Sequence, residues 1–350
     1  MIELDLHKSK TYISDLDTSI AYTREIENLR AQSVLITGAT GTIGSFVTDM
    51  LFRYNQIAQA DIRVIAAGRD VQKLNWLYGD CTGFKSVQYD LSKEVQFDIP
   101  VDYIIHTAGN AHPAAFNGDP VGTIVNSVNS IYRLLEYGRS HGAKRLLYVS
   151  SGEVYGQGDL DLDEFVEGYS GYLDPQSPRS CYPMAKRATE NLCASYSKQY
   201  GFETVVVRPC HTYGPCFTTS DNRANVQFMK NVLHGEDIVM KSAGTQMRSY
   251  NYVADCASAL LTVLIMGNSG EAYNTANPDV RCTIAQLAEM IANKAGKEVV
   301  YADPDVVDLA NRTPIAKQVL SSKKIEALGW TGAFSLEEGI EHTLKILQGQ

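Results

Sequence analysis

The apolar positions of this 350-residue chain alternate between two patterns from residue 31 onward. Short, nearly continuous apolar runs read as strands: "SVLIT" (33–37), "DIRVIAA" (61–67), "SVQYD" (86–90), "DYIIHTA" (102–108), "RLLYVSS" (145–151) and "ETVVVRP" (203–209). Between them, Gly44–Tyr54, Pro120–His141 and Pro183–Tyr200 read as amphipathic helices, with Gly142 and Gly201 where C-terminal caps belong. Apolar strands separated by helices predict an α/β fold, a parallel sheet covered on both faces. After about Pro209 the rhythm changes to loops and shorter elements, with one strand returning to the sheet near 272–276. This divides the chain into a domain over 31–208 and a smaller α/β unit over 209–350, which is expected to supply most of a substrate-binding domain. Residues 1–30 read as an arm outside the main fold. There "DTSIAYTREIENLR" sets Ile20, Ile26 and Leu29 along one side of a short helix, suited to packing on the domain or on a second copy.

Composition narrows the classes of function. At 44% hydrophobic and 20% charged residues the chain is ordinary for a soluble globular protein. A net charge of −9 without a strongly basic segment argues against nucleic acid as the main partner. The seven cysteines form no C-x-x-C pair and are odd in number. That is reduced, cytoplasmic usage, not a disulfide framework or a zinc site, and no metal is expected. The N-terminus has no apolar signal core, and the longest apolar run, "ALLTVLIM" (259–266), is too short to span a bilayer. No membrane partner is expected.

"LITGATGTIGSF" (35–46) follows the first strand and opens the first helix, with glycines at 38, 41 and 44. A dinucleotide's pyrophosphate needs backbone N–H donors at a helix N-terminus with no side chain in the way. Gly38 and Gly41 allow the turn and the close approach, and Gly44 lets helix and strand pack. The spacing G-x-x-G-x-x-G after a strand and before a helix points to a Rossmann-type dinucleotide cradle rather than a bare turn. At the end of the second strand the chain reads "AAGRD", with no acid in the place that usually grips the ribose hydroxyls. Arg69 is suited either to stack on adenine or to pair with a 2′-phosphate, and Asp70 to reach the ribose, so NAD and NADP both stay open. Asp90, after the third strand, is a candidate for the adenine amino group.

"SCYPMAK" places Tyr182 and Lys186 four residues apart, on one helix face, with Pro183 in the first turn. A nearby ammonium and a positive nicotinamide ring favour the phenolate, which then removes a proton from a sugar hydroxyl as hydride leaves for the cofactor. "YVSSGEVYG" (148–156) sets Ser151 at a strand end, where active sites gather in open parallel sheets, able to hydrogen-bond the reacting oxygen. Tyr and Lys on a solvated face are the bland alternative to each signal taken alone.

Together these segments resemble the extended short-chain dehydrogenase/reductases, the nucleotide-sugar epimerases, dehydratases and decarboxylases, over about residues 32–345. The likeness extends to "HTAG" (106–109), "RPCHTYGP" (208–215), "MRSYNYVADCASAL" (247–260), "NTANP" (274–278) and "LGW" (328–330). "SPRSCYPMAKRATE" and "EVYG" are most similar to the UDP-glucuronate decarboxylases of that family. The resemblance implies a bound NAD, transient oxidation at C4 of a UDP-linked sugar, and homodimers paired through the helices at 120–141 and 183–200. It implies catalytic roles for Ser151, Tyr182, Lys186 and Glu153. It implies cofactor contacts from Gly38, Thr40, Gly41, Thr42, Ile43, Gly44, Arg69, Asp90, Ala108, Asn126, Tyr182, Lys186 and Pro209, with Asn126 as a buried residue. Arg248 matches an arginine near the substrate diphosphate or sugar; a structural ion pair is its other reading.

The chain departs from the family at three places. Gly152 stands where related dehydratases carry an Asp and decarboxylases usually a Ser, so ordinary dehydration is disfavoured and decarboxylation is put in question. His211 replaces an Asn and Cys210 a Phe; His211 either contacts the substrate phosphates or fills space. Glu153 either acts on the sugar or braces a neighbouring loop. The reading is a decarboxylase or 4-epimerase of a UDP-uronate. A keto-sugar reductase consuming NADPH, a 4,6-dehydratase and a non-catalytic dinucleotide sensor are the alternatives.

Overall fold

A computed structural model describes residues 6–109, 111–218, 221–304 and 315–350. Seven strands form the main sheet: β1 (Ser33–Thr37), β2 (Arg63–Gly68), β3 (Phe84–Gln88), β4 (Tyr103–His106), β5 (Arg145–Val149), β6 (Glu203–Pro209) and β10 (Ala272–Thr275). All pair in parallel, in the order β10-β6-β5-β4-β1-β2-β3. The order reverses between β1 and β4, whose C-terminal ends lie side by side with Thr37 opposite His106. In such sheets that reversal opens the crevice where ligands bind.

Alternation along each strand explains the layers. Val34 and Ile36 join one apolar cluster with Ala66, Ile105, Leu147 and Val207, while Leu35 joins another with Ile65, Ala67, Ile104, Leu146 and Val206. Successive side chains leave opposite faces, so a fully apolar strand needs cover on both. One face is covered by α2 (Thr42–Ala58), through Phe46, Val47, Met50 and Leu51; the other is covered by α5 (Pro120–Ser140), through Ile131, Leu134 and Leu135. Each such aliphatic side chain contributes about 1.5–3 kcal/mol on full burial.

The first helix, α1 (Lys10–Tyr22), starts and ends earlier than the apolar spacing suggests. Ser9 accepts from the Tyr12 N–H and caps it, and the extended Thr23 ends it. Tyr12 and Leu16 lie in the same cluster as Val34 and Ile36, so this segment is packed into the fold rather than standing outside it. A short α3 (Val71–Tyr78) follows β2, α4 (Pro113–Gly118) follows β4, and α6 (Cys181–Tyr200) lies beside α5.

The later residues add β7 (His211–Tyr213), α7 (Ala224–Leu233), β8 (Ile238–Met240), β9 (Met247–Tyr252), α8 (Val253–Met266), β11 (Arg281–Thr283), α9 (Ile284–Ala295), β12 (Val299–Tyr301) and β13 (Lys317–Gln318). β9 pairs with β7, β11 and β13, and its register sets Gln318 opposite Arg248. The apolar run at 259–266 lies inside α8, a helix buried almost all round against the sheet and α2. Among the described residues no helix is long and apolar enough to cross a membrane, and no group of side chains has metal-ligand geometry.

Candidate active site

The glycine turn is a sterically closed structure with one open side. Gly38 has φ +74°, and a Cβ there would lie 2.8 Å from the Ala108 amide nitrogen. A Cβ on Gly44 would lie 2.3 Å from the Gly38 carbonyl oxygen. Gly41 is the N-cap of α2, and no side chain caps that helix. The first-turn N–H groups are therefore left for a ligand, and the positive end of the helix favours an anion there. Gly41, Thr42, Ile43, Gly44 and Ala108 line a cavity over this turn. The cradle fits the pyrophosphate of a dinucleotide. Thr40 lies in the turn, half-buried, but does not line the cavity.

Other expected cofactor contacts are placed differently. Asn126 is half-buried rather than buried, and its neighbour Ser127, not Asn126, lines the cavity. Asp70 caps α3, its carboxylate accepting from the Lys73 N–H at 2.9 Å, which engages it locally rather than toward a ribose. Arg69 is exposed. Asp90 accepts from the Ser92 N–H and hydroxyl at 2.9 and 2.8 Å. These two bonds, with Arg69 as a weaker contributor, hold its carboxyl below the usual range.

At the mouth of α6 the cavity is lined by Ser151, Glu153, Tyr182 and Lys186. β5 delivers Ser151, whose hydroxyl accepts from the Glu153 N–H at 3.1 Å and lines the same cavity as the Tyr182 phenol, whose ionised form it favours. Lys186, one helical turn below, donates to the Val149 carbonyl at 2.8 Å and lies 4.6 Å from the centre of the Tyr148 ring. Its ammonium is 5.7 Å from the Tyr182 ring centre. Burial pushes Lys186 down to about 8. Tyr182 is pushed up to about 12, by burial first and by Glu153 next, against Ser151, Arg223 and Arg179. The sequence led us to expect a lowered phenol; the protein's own groups instead leave it high, because desolvation outweighs them. A further positive charge over the cavity is what would bring the phenol into range, and an oxidised nicotinamide carries one.

The far side of the cavity holds Pro209, Cys210, His211, Asp221, Arg223 and Gln318. His211 is pushed down to about 3, chiefly by burial, and its Nδ1 has no hydrogen-bond partner among the described residues. Arg223 forks on Asp221 at 2.6 and 3.0 Å. Arg248 does not line the cavity. Its Nη1 donates to the carbonyls of Met247 (2.9 Å) and Ala316 (3.2 Å), and its Nη2 to that of Ile315 (2.5 Å). It braces β9 against β13, in place of the expected ligand contact. At Gly152 a Cβ would lie 3.2 Å from the Gln318 side-chain carbon Cδ. The amide of Gln318 fills the room that a side chain at 152 would take.

Glu153 pairs with Arg179, whose Nη1 and Nη2 each reach one carboxylate oxygen, at 3.1 and 3.2 Å. Sequence reasoning assigned no role to Arg179, Gln318, Asp221, Arg223 or His106. Of these, His106 and Arg179 lay inside quoted motifs, as the first residue of "HTAG" and the third of "SPRSCYPMAKRATE"; His106 Nδ1 lies 2.7 Å from the Thr37 hydroxyl, and burial pushes it down to about 3.

Comparison with known proteins matches residues 34–276 to the family described as "NAD dependent epimerase/dehydratase family". The chain is 31% identical over 312 residues to UDP-glucuronic acid decarboxylase 1 of Xenopus tropicalis, covering 89% of this chain and 71% of that one. It is 32% identical over 309 residues to UDP-glucuronic acid decarboxylase 3 of Arabidopsis thaliana, covering 88% and 86%. Among solved structures it is similar to a UDP-glucose 4-epimerase of Thermotoga maritima with UDP-glucose, at TM-score 0.74 and 25% identity, covering 91% and 99%.

Proposed function

Because the chain belongs to the NAD dependent epimerase/dehydratase family, and so is an NAD-dependent nucleotide-sugar enzyme, we propose that it oxidises a UDP-uronate at C4 and releases the C6 carboxyl as CO₂. Bound NAD supplies the hydride acceptor. Tyr182, as phenolate, takes the proton of the C4 hydroxyl, and Ser151 holds the same oxygen. Lys186, anchored on the Val149 carbonyl, keeps positive charge near the phenol. A ketone at C4 is β to the C6 carboxylate, so the electrons of the breaking C5–C6 bond flow into the enolate, a proton then adds at C5, and return of the hydride to C4 leaves a net loss of CO₂ with the cofactor oxidised again.

The observation that favours this reading over dehydration is that, among the described residues, no acid is placed beside Ser151 for a leaving hydroxyl. Loss of water from C6 needs a proton donor there. Gly152 offers no side chain, and both oxygens of Glu153 accept from Arg179. Loss of CO₂ needs no such donor. The relatives named above as UDP-glucuronic acid decarboxylases support the same outcome. We further propose a homodimer through α5 and α6, whose exposed face includes Val121, Ile124, Val125 and Tyr132.

Mass spectrometry of the sugar after incubation with UDP-glucuronate and NAD tests the reading. A nucleotide sugar lighter by one CO₂ is the expected result. An isomer of unchanged mass would make the enzyme a 4-epimerase, and an unaltered substrate would overturn the uronate assignment.

A further inference from the structure

Behind the reacting side chains lies a second layer that does not line the cavity. Arg179, in the turn just before α6, does more than pair with Glu153. Its guanidinium carbon lies 4.6 Å from the centre of the Phe116 ring. Phe116, on α4 and fully buried, stacks on Tyr182 with ring centres 5.1 Å apart and planes 16° from parallel. The Cys181 thiol also meets the Phe116 carbonyl, at 3.5 Å. One arginine thus grips the Glu153 carboxylate and also lies over the ring that stacks on the phenol. Such a planar fork suits both contacts, where an ammonium would satisfy neither in the same way.

We infer that Arg179 is a positioning residue, which offsets the charge of Glu153 and clamps Phe116 against Tyr182, and so sets the pH at which the phenol yields its proton. The inference rests on Tyr182 being the base proposed above. Phe116 is neutral, so the charges facing the phenol come from elsewhere: Glu153 after β5, Arg179 before α6, Lys186 within α6 and Arg223 at the start of α7. The hydroxyls of Ser151 and Tyr148 join them among the described residues. Glu153 alone among them opposes ionisation by its charge. Arg179 is the cation that forks directly on it. Without Arg179 the carboxylate acts on the phenol uncompensated.

The test is direct titration of Tyr182 in the NAD-loaded enzyme, using tyrosine labelled with ¹³C at Cζ, the resonance being assigned by its loss in Y182F. No turnover is needed, so a failed UDP-glucuronate assay leaves this measurement standing. R179M is expected to move the midpoint up by roughly half a pH unit or more, a threefold or greater change in proton affinity. E153Q is expected to move it down, and R179M added to E153Q to move it back up. R179K, which keeps the charge but loses the fork, falls between wild type and R179M, and serves where R179M does not fold. A merely structural role lowers the unfolding temperature and leaves the midpoint in place. Midpoints of R179K and R179M coinciding with wild type would overturn the inference, as would an unmoved midpoint in E153Q.

Discussion

Alanine at two neighbouring glycines should separate folding from cofactor binding. At Gly44 a Cβ would sit 2.3 Å from the Gly38 carbonyl oxygen and 2.7 Å from the Thr107 hydroxyl. Ordinary contact needs roughly another ångström, and the obstacle is backbone, so β1 and α2 must part. Overpacking of this kind costs about 1–3 kcal/mol, which lowers the melting temperature by several degrees. At Gly41 the same methyl meets the Gly38 carbonyl oxygen at 3.3 Å, and the backbone, φ −87° and ψ 168°, suits alanine. The cost to the fold is at most about 1 kcal/mol, mainly from a poorer N-cap. Yet that methyl stands at the open end of α2, where the pyrophosphate must reach the first-turn N–H groups. G41A should therefore weaken NAD at least tenfold, about 1.4 kcal/mol, while unfolding near the wild-type temperature. Calorimetric titration with NAD and thermal unfolding with and without it read both quantities, since a ligand that binds only the native state raises stability by RT ln(1 + [L]/Kd). Wild-type NAD affinity in G41A would refute the argument and reduce the glycines to a turn.

Four further outcomes are expected. Y182F should lose a factor of about 10²–10⁴ in kcat with little change in substrate affinity by calorimetry. K186M should stabilise the cofactor-free protein most below about pH 8. Lys186 is held near 8 in the fold against an ordinary 10.5, so between these values the unfolded chain binds more protons and wild-type stability rises with pH. The gain of K186M should accordingly shrink from pH 8 to 10.5 in paired melting curves, and a constant gain would be inconsistent with it. R69A should weaken NADP binding more than NAD binding, because Asp70 is engaged as a helix cap and Arg69 is exposed at the end of β2; equal losses would remove Arg69 from the 2′-position. The double variant I124E/V125E should sediment as a monomer where wild type sediments as a dimer, the charges replacing the exposed apolar stripe of α5.

The parallel sheet was legible because its central strands are apolar on both faces, and each expected strand lies within two residues of an observed one. α1 was placed too late for a physical reason. Its buried face carries Asp15 and Ser19 beside Tyr12, Leu16 and Ile20, so the apolar period is broken. Asp15 is tolerated there because the Tyr252 hydroxyl (2.6 Å) and His342 Nδ1 (2.7 Å) meet it from far along the chain. Such partners leave no local trace. The same distinction divides the site. The glycine cradle and Tyr182 with Lys186 are single-turn patterns, readable from spacing. Arg179 against Glu153, and Gln318 against Gly152, are meetings of segments 26 and 166 residues apart in number, and only the fold brings them together. Arg248 shows the converse, a promising arginine whose donors are absorbed by the carbonyls of 247, 315 and 316.

The charge balance around the cavity bears on which fate a keto sugar would meet there. Glu153 is matched by Arg179 and Asp221 by Arg223, and His106 and His211 are both pushed down to about 3, hence neutral at physiological pH. Lys186 is the cavity-lining cation that is neither histidine nor paired with a carboxylate in the described residues, and it lies on the Val149 carbonyl. A uronate's carboxylate entering this cavity would find hydrogen-bond donors such as the Gln318 amide more readily than an unengaged guanidinium. A carboxylate that leaves water for dipoles without a full counter-charge gives up much of its solvation. On loss of CO₂ that charge would pass to the enolate oxygen at C4, beside Ser151 and Tyr182, so the step would move charge from a place without a counter-cation to one with hydroxyl donors. Gly152 fits this arrangement, because a side chain in its place would press on the amide that occupies the room. An aspartate introduced at 152 would add both a clash with Gln318 and a second carboxylate beside Glu153. G152D should therefore lower kcat for CO₂ release more than it raises KM, and an unchanged kcat would dissociate the glycine from the chemistry.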